Sequence, residues 1–170
     1  MIIYTIGHST RTLKEFIELL KEYSIEQVID VRTVPKSRYA PQFNQDRLKK
    51  TLKQAGIKYF HSIKLGGFRH AKKDSVNLGW KNFSFRGFAD YMQTEDFEEG
   101  IKELLKLSKN KKTAIMCAEA VPWRCHRSLV SDILTHKKIN VIHILSKTNS
   151  YEHKITPFAR FKKNKIYYPA

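Results

Sequence analysis

The run Cys117-Ala118-Glu119-Ala120-Val121-Pro122-Trp123-Arg124-Cys125-His126-Arg127-Ser128 holds two thiols, a carboxylate, an imidazole and two guanidiniums. Packing alone has no use for so many ionisable groups in one place, so this run is the first candidate for a reaction site. Cys125 stands beside His126 and between Arg124 and Arg127, and a helix beginning there would lower its thiol pKa further. Glu119 is the best-placed general acid or base in the run. Three chemistries compete. A rhodanese- or phosphatase-like enzyme acting on a small anionic substrate also carries a reactive cysteine in a strand-to-helix loop. Its phosphate cradle, however, is built from glycines and small residues, whereas this loop holds Val121, Pro122 and Trp123 and no glycine. A zinc site favours cysteines closer together than Cys117 and Cys125. A carboxylate–histidine site fits a hydrolase or nuclease and is compatible with a divalent metal, although the chain has no diagnostic metal motif. The loop is therefore expected to act through its carboxylate rather than its thiols, with Cys117 an inert thiol in an apolar strand.

Other polar groups stand where hydrophobic patterning does not need them. Gly7, His8, Ser9 and Arg11 follow one apolar run, Asp30 and Arg32 end another, and Leu65-Gly66-Gly67 follows a third. Each has a plain structural use. Ser9 or Thr10 can cap a helix, Asp30 can pair with Arg32 or Arg127, and the glycines can form a turn. Each also stands where the carboxyl end of a strand would open onto one rim, and there His8, Asp30, Arg32, Glu119 and Arg127 are expected to meet.

The elements that must position these groups alternate. Ile2–Ile6, Gln27–Val31, Thr113–Cys117 and Val141–Leu145 read as strands, with a weaker one over Ile57–Ile63. Between them lie helical spacings. The first opens on the capping-box form Thr12-Leu13-Lys14-Glu15; the second follows Asn44 and stops at Gly56; the third follows Thr94; the last contains Leu129, Val130, Ile133 and Leu134. From Lys64 to about Met92 no period holds. The pattern predicts a single α/β domain, a three-layer sandwich with a mainly parallel central sheet over residues 1–146. A basic, aromatic tail, 147–170, packs on it or extends from it. No repeat, linker, membrane-length apolar run or secretory signal is read, and two cysteines make no disulfide framework, so a cytoplasmic setting is expected.

Charge is the unusual feature of the composition. Lys and Arg total 32 against 16 acids, a formal net charge of +16. Such an excess draws anions and suits phosphate backbones, so nucleic acid is the expected partner. Two stretches interleave cations with rings: Lys36, Arg38 and Tyr39 after the second strand, and Arg69, Lys72, Lys73, Trp80 and Arg86 in the irregular segment. With Arg124, these are the candidate nucleic-acid contacts, cations for phosphates and rings for stacking. The rings could equally form a satellite core beneath a long loop.

Several of these motifs occur together elsewhere. Tyr4-Thr5-Ile6-Gly7-His8-Ser9, Asp30-Val31-Arg32-x-x-Pro35-x-Ser37, Leu65-Gly66-Gly67, Phe88-Ala89-Asp90-Tyr91-Met92 and Cys117-Ala118-Glu119…Cys125-His126-Arg127 resemble, in order, the domain of unknown function 488 family. The resemblance implies a compact α/β domain and no assigned reaction. It groups His8, Asp30, Arg32, Glu119, Cys125, His126 and Arg127 as members of one shared site. The expected function is a nucleic-acid-processing enzyme, a hydrolase or glycosylase acting on damaged or modified nucleotides through its carboxylates. The alternatives are the cysteine-dependent enzyme above and a non-catalytic nucleic-acid-binding module.

Binding of single- and double-stranded oligonucleotides should weaken steeply between low and moderate salt, as counterion release requires. Anisotropy titrations across a salt series check this. Salt-indifferent binding, or none at low salt, would remove phosphate contact from the account.

Overall fold

A computed structural model describes residues 1–170. Ile2–Gly7 (β1) is buried from its second residue onward. At Thr12 the hydroxyl accepts the Glu15 N–H and the Glu15 carboxylate accepts the Thr12 N–H, and this reciprocal cap starts Leu13–Glu22 (α1). Ser9 caps nothing; it takes a left-handed conformation, φ 48°, and its carbonyl meets the His8 ring. Gln27–Asp30 (β2) is buried throughout. Gln45–Gln54 (α2) follows Asn44, whose side-chain oxygen accepts the Ser37 N–H instead of capping the helix, and Gly56, φ 76°, ends the turn after it. Lys58–His61 (β3) is a short edge strand.

The segment without sequence period contains a helix, Phe83–Tyr91 (α3), started by Asn82. Glu95–Ser108 (α4) is capped by Thr94 and carries three acids in its first turn, where the helix dipole favours them. Thr113–Cys117 (β4), Arg127–His136 (α5) and Asn140–Ile144 (β5) complete the alternation. The sheet runs β3-β2-β4-β1-β5 in parallel, and Ser150–Glu152 (β6) adds an antiparallel edge beyond β5. No helix is long and apolar enough to cross a membrane.

Strand alternation divides the core in two. Tyr4, Ile6, Val28, Ala114 and Met116 meet Phe16, Leu20, Leu48 and Leu52 of α1 and α2. Ile3, Ile29, Val31, Ile115 and Cys117 meet α3, α4 and α5. The tail belongs to this second core. Arg160–Lys162 (β7) and Lys165–Tyr167 (β8) form a hairpin, and Tyr168 beyond it is fully buried. Its hydroxyl donates to Asp132 (2.8 Å) and its backbone N–H to the Asn77 side chain (2.9 Å). Hydrophobic patterning missed this segment because its strands are three residues each, too short to show a period.

Tyr168→Ala should cost about 3–5 kcal/mol in urea unfolding, the usual range for a buried aromatic. Tyr168→Phe, which keeps the ring but removes one donor from Asp132, should cost roughly 1–2 kcal/mol. Unchanged midpoints would mean that the tail lies outside the cooperative unit.

Candidate active site

In open parallel sheets, the crevice lies where neighbouring strands send their connections to opposite faces. Here those strands are β1, which leads to α1 on one face, and β4, which leads to α5 on the other. Residues 118–120 cross over the end of β1, and the Glu119 carbonyl comes so close that a β-carbon at Gly7 would collide with it. Glycine there is thus required by the approach of another backbone. Beneath this crossing lie the two thiols. Cys117 ends β4 and Cys125 precedes α5; their sulfurs are 2.6 Å apart, and both residues are buried.

Cys125 stands where an N-terminal helix cap would be. Its sulfur accepts the Arg127 backbone N–H (3.4 Å), and no side chain of His126 caps the helix. Burial alone would push this thiol up, but the hydrogen bond with Cys117 and the positive fields of His126 and Arg127 outweigh it and hold Cys125 well below the ordinary range. Burial and the neighbouring Cys125 charge drive Cys117 the other way. Within the pair, Cys125 is thus the thiol that gives up its proton more readily and Cys117 the one that keeps it.

Arg127 is fully buried and has no carboxylate partner. One terminal nitrogen donates to the Glu119 carbonyl (2.6 Å), the other to Thr5 Oγ1 (3.1 Å), and Nε has no partner. Burial disfavours its charge; the charge on the thiols more than restores it. On the outer side of the pair, the His126 Nδ1 is 3.6 Å from the Cys125 sulfur and Nε2 is 3.0 Å from the Val31 carbonyl. A carbonyl can only accept, so Nε2 donates to Val31, and Nδ1 is the nitrogen that faces the sulfur; only with a second proton there does the ring donate to the sulfur and place a positive charge beside it. A β-carbon on Gly67 would press on that ring at 3.2 Å.

A second chain of polar groups, invisible to hydrophobic patterning, leads away from Arg127. Thr5 Oγ1 is 2.6 Å from His143 Nδ1, His143 Nε2 is 2.8 Å from His153 Nδ1, and His153 Nε2 is 2.7 Å from Asp132. With one proton on each ring, a single arrangement satisfies every contact: Arg127 donates to Thr5, Thr5 to His143, His143 to His153 and His153 to Asp132. A buried cation and a buried anion thus stand at opposite ends of an aligned run of dipoles. The only sequence signal for it was a histidine at the centre of a strand, His143 in β5.

The remaining candidates gather on the opposite face. Asp30 is fully buried; it accepts Arg32 Nε and Nη2 (3.0 and 2.7 Å), the Arg32 backbone N–H and the Tyr59 hydroxyl (2.6 Å). His8 stacks on Phe43 (4.4 Å between centroids) and lies 3.4 Å from Arg32 Nη1. Burial holds it below its ordinary pKa, and the charge of Arg32 adds to that effect. The expected meeting of His8, Asp30, Arg32, Glu119 and Arg127 therefore divides. His8, Asp30 and Arg32 stand with α1 and α2, while Arg127, Cys125 and His126 stand with α5. The reason is the two-residue period of a strand: Asp30 and Val31 point to opposite sides of the sheet. The Glu119 side chain is exposed and makes no hydrogen bond; its backbone does the holding.

The rim above the carboxyl ends is cationic and aromatic. Lys36, Arg38, Lys72, Lys73 and Arg124 are exposed, as are Tyr39 (96%), Phe68 (85%) and Trp123 (57%). Phe68 adopts φ 55°, a left-handed conformation that costs an aromatic residue energy and holds its ring in solvent. Three sequence candidates also make contacts within the fold. Arg69 donates to the Gly66 and Ile63 carbonyls beneath its 3.6 Å stack on Tyr91. Arg86 donates to the Trp80 carbonyl, and Trp80 packs on Phe85, Phe158 and Tyr168. No group of three or more His, Cys, Asp or Glu residues stands where it could hold a metal ion. A family model described as domain of unknown function DUF488 matches residues 12–134. No curated protein and no solved structure matches the chain.

His143 is pushed down to about 3 by burial, with the charges of His153 and Arg127 adding to the effect. An unfolded histidine takes up its proton near 6.5, so between these two values the unfolded chain binds more protons and stability must fall as pH falls. The decline should begin below about pH 6.5 and be shallower in His143→Asn, as thermal melts between pH 7.5 and pH 4 will show. A His143 ring that titrates near 6.5 by NMR would contradict the assignment.

Proposed function

As a member of the DUF488 family, by a match covering most of its length, the chain inherits a fold signature without a reaction, and we propose that it is a cysteine-dependent enzyme acting on a nucleic-acid-type polyanion, with the Cys125 thiolate as nucleophile. The observation that carries this reading is the thiol pair beside a buried guanidinium that has no carboxylate to neutralise it. A thiolate is the reactive form of cysteine, and a helix N-terminus, an adjacent imidazole and an arginine are the features that create one. In the first step the Cys125 sulfur gives its electron pair to an electrophilic centre of the substrate. The leaving group departs with the bonding pair and takes the proton held by Cys117.

The carboxylate-centred hydrolase or glycosylase has weaker support. Asp30 already accepts four hydrogen bonds from Arg32 and Tyr59, which suits a structural anion more than a base awaiting a proton. Glu119 lies in solvent with no group to orient it. The polyanionic substrate is supported by the +16 charge and by the exposed rings interleaved with cations on the rim.

Ultraviolet thiolate absorbance should reveal one thiolate well below the ordinary thiol range and absent in Cys125→Ser. Arg127→Met should move its appearance up by a unit or more, a loss of roughly tenfold in thiolate at a fixed acidic pH. In turnover of nucleic-acid substrates, Cys125→Ser should lose on the order of a hundredfold or more, while Glu119→Gln keeps most of the activity. Thiolate appearing only in the ordinary range, or activity lost with Glu119→Gln and kept with Cys125→Ser, would return the chemistry to the carboxylate. Nucleic-acid binding without turnover would leave a binding module.

A further inference from the structure

Beside the thiol loop, between its 3-10 turn at Pro122–Arg124 and the edge strand β6, lies a cleft of about 470 Å³. That volume falls within the range of small-molecule sites. Both tryptophans of the chain line it, Trp80 and Trp123, together with Tyr151. His143 and His153 line it too, but all four of their ring nitrogens are engaged in the Thr5–Asp132 chain, so toward the cleft they offer ring surface and no hydrogen bond. Five π systems therefore border one small space.

Two further features point to an occupant. Trp123 and Tyr151 remain 57% and 38% exposed at the mouth of the cleft. Lys154 is exposed at the lip and Arg124 is exposed next to Trp123, against one exposed carboxylate of the lining, Glu152, so two cations face one acid around an aromatic chamber. A planar aromatic ring attached to an anionic group meets both of these features.

We propose that this cleft binds a nucleobase, stacked against the tryptophan and tyrosine rings, with its phosphate toward the basic lip. The site adjoins the thiols, since Ser128 lines the cleft and its hydroxyl donates to the Cys125 carbonyl (3.0 Å). The relevance of the base to catalysis rests on the cysteine-dependent reading; the binding itself does not. A free nucleotide and one nucleotide of a single strand present the same chemistry to this cleft.

Because both tryptophans line this cleft, intrinsic fluorescence reports on it alone. Titration with adenosine, guanosine, cytidine and uridine monophosphates should quench the emission, and ribose 5-phosphate should not. Trp123→Ala, at an exposed position that folding does not need, and Tyr151→Ala should each weaken binding about tenfold or more, the usual scale for losing one base–ring stack. Quenching by a short single-stranded oligonucleotide as well as by mononucleotides identifies a strand as the source; quenching by mononucleotides alone identifies the free nucleotide. No quenching at millimolar nucleotide, or equal quenching by ribose 5-phosphate, overturns the proposal. The assay needs no turnover, so a failure here leaves the thiolate measurement intact, and a silent thiol leaves a positive binding result standing.

Discussion

A guanidinium removed from water needs a negative partner, or its burial costs several kcal/mol. Arg127 is fully buried, and the acceptors nearest to it are a carbonyl and a hydroxyl. What is left to balance it is the sulfur pair of Cys117 and Cys125 nearby and, through Thr5, His143 and His153, the carboxylate of Asp132. Much of the local architecture follows from that demand. Gly7 must be glycine so that the Glu119 carbonyl can reach the guanidinium. The loop must cross the end of β1 to bring that carbonyl there. Cys125 must occupy the cap position of α5, where the helix dipole favours the negative charge that Arg127 requires. The tail is drawn in as well, because Tyr168 donates to the far end of the same chain at Asp132.

The second ionic cluster illustrates a different solution. Asp30 and Arg32 neutralise each other at close range, and Tyr59 supplies a further donor, its own proton held firmly by burial and the Asp30 charge. Arg32 also donates to the Phe43 carbonyl, and His61 meets the carbonyl of Arg32. Such a saturated network fixes the loop after β2 in place. From it, Lys36, Arg38 and Tyr39 project into solvent. A satisfied ion pair makes a good foundation, while an unsatisfied guanidinium makes a good site for an anion. The two clusters sit back to back across a single sheet and divide these roles.

Most of the alternation of strands and helices was legible because it rests on burial, which leaves a period in the sequence. The capping box at Thr12, the stop at Gly56 and the acids after Thr94 were legible because each answers a local backbone need. Four elements, α3 and the strands β6, β7 and β8, were not. The helix α3 carries Gly87 and several aromatics, which blur its period, and the three-residue strands of the tail are too brief to show one. The motif run from Cys117 to Arg127 stands out by residue type alone, but which of its groups face one another depends on strand parity and on a carbonyl crossing over Gly7. At Glu119 residue type draws attention to the carboxylate, whereas the contact with Arg127 is made by the carbonyl. Thr5, His143, His153 and Asp132 are dispersed along the chain, and only the fold brings them into line.

The 3-10 turn at Pro122–Arg124 explains why a glycine-free loop suits this site. A phosphate cradle needs several inward N–H groups and therefore glycines. This loop turns its N–H groups to its own carbonyls instead: Arg124 donates to Val121 and Cys125 to Pro122. Proline and a bulky tryptophan are then no hindrance. Pro122 stiffens the turn, and Trp123 projects from it into the mouth of the neighbouring cleft. The same three residues connect the two regions mechanically, since the N–H that closes the turn belongs to Cys125. A glycine-rich loop would be free to move at that point; in this one the hydrogen bonds and the proline leave few other conformations.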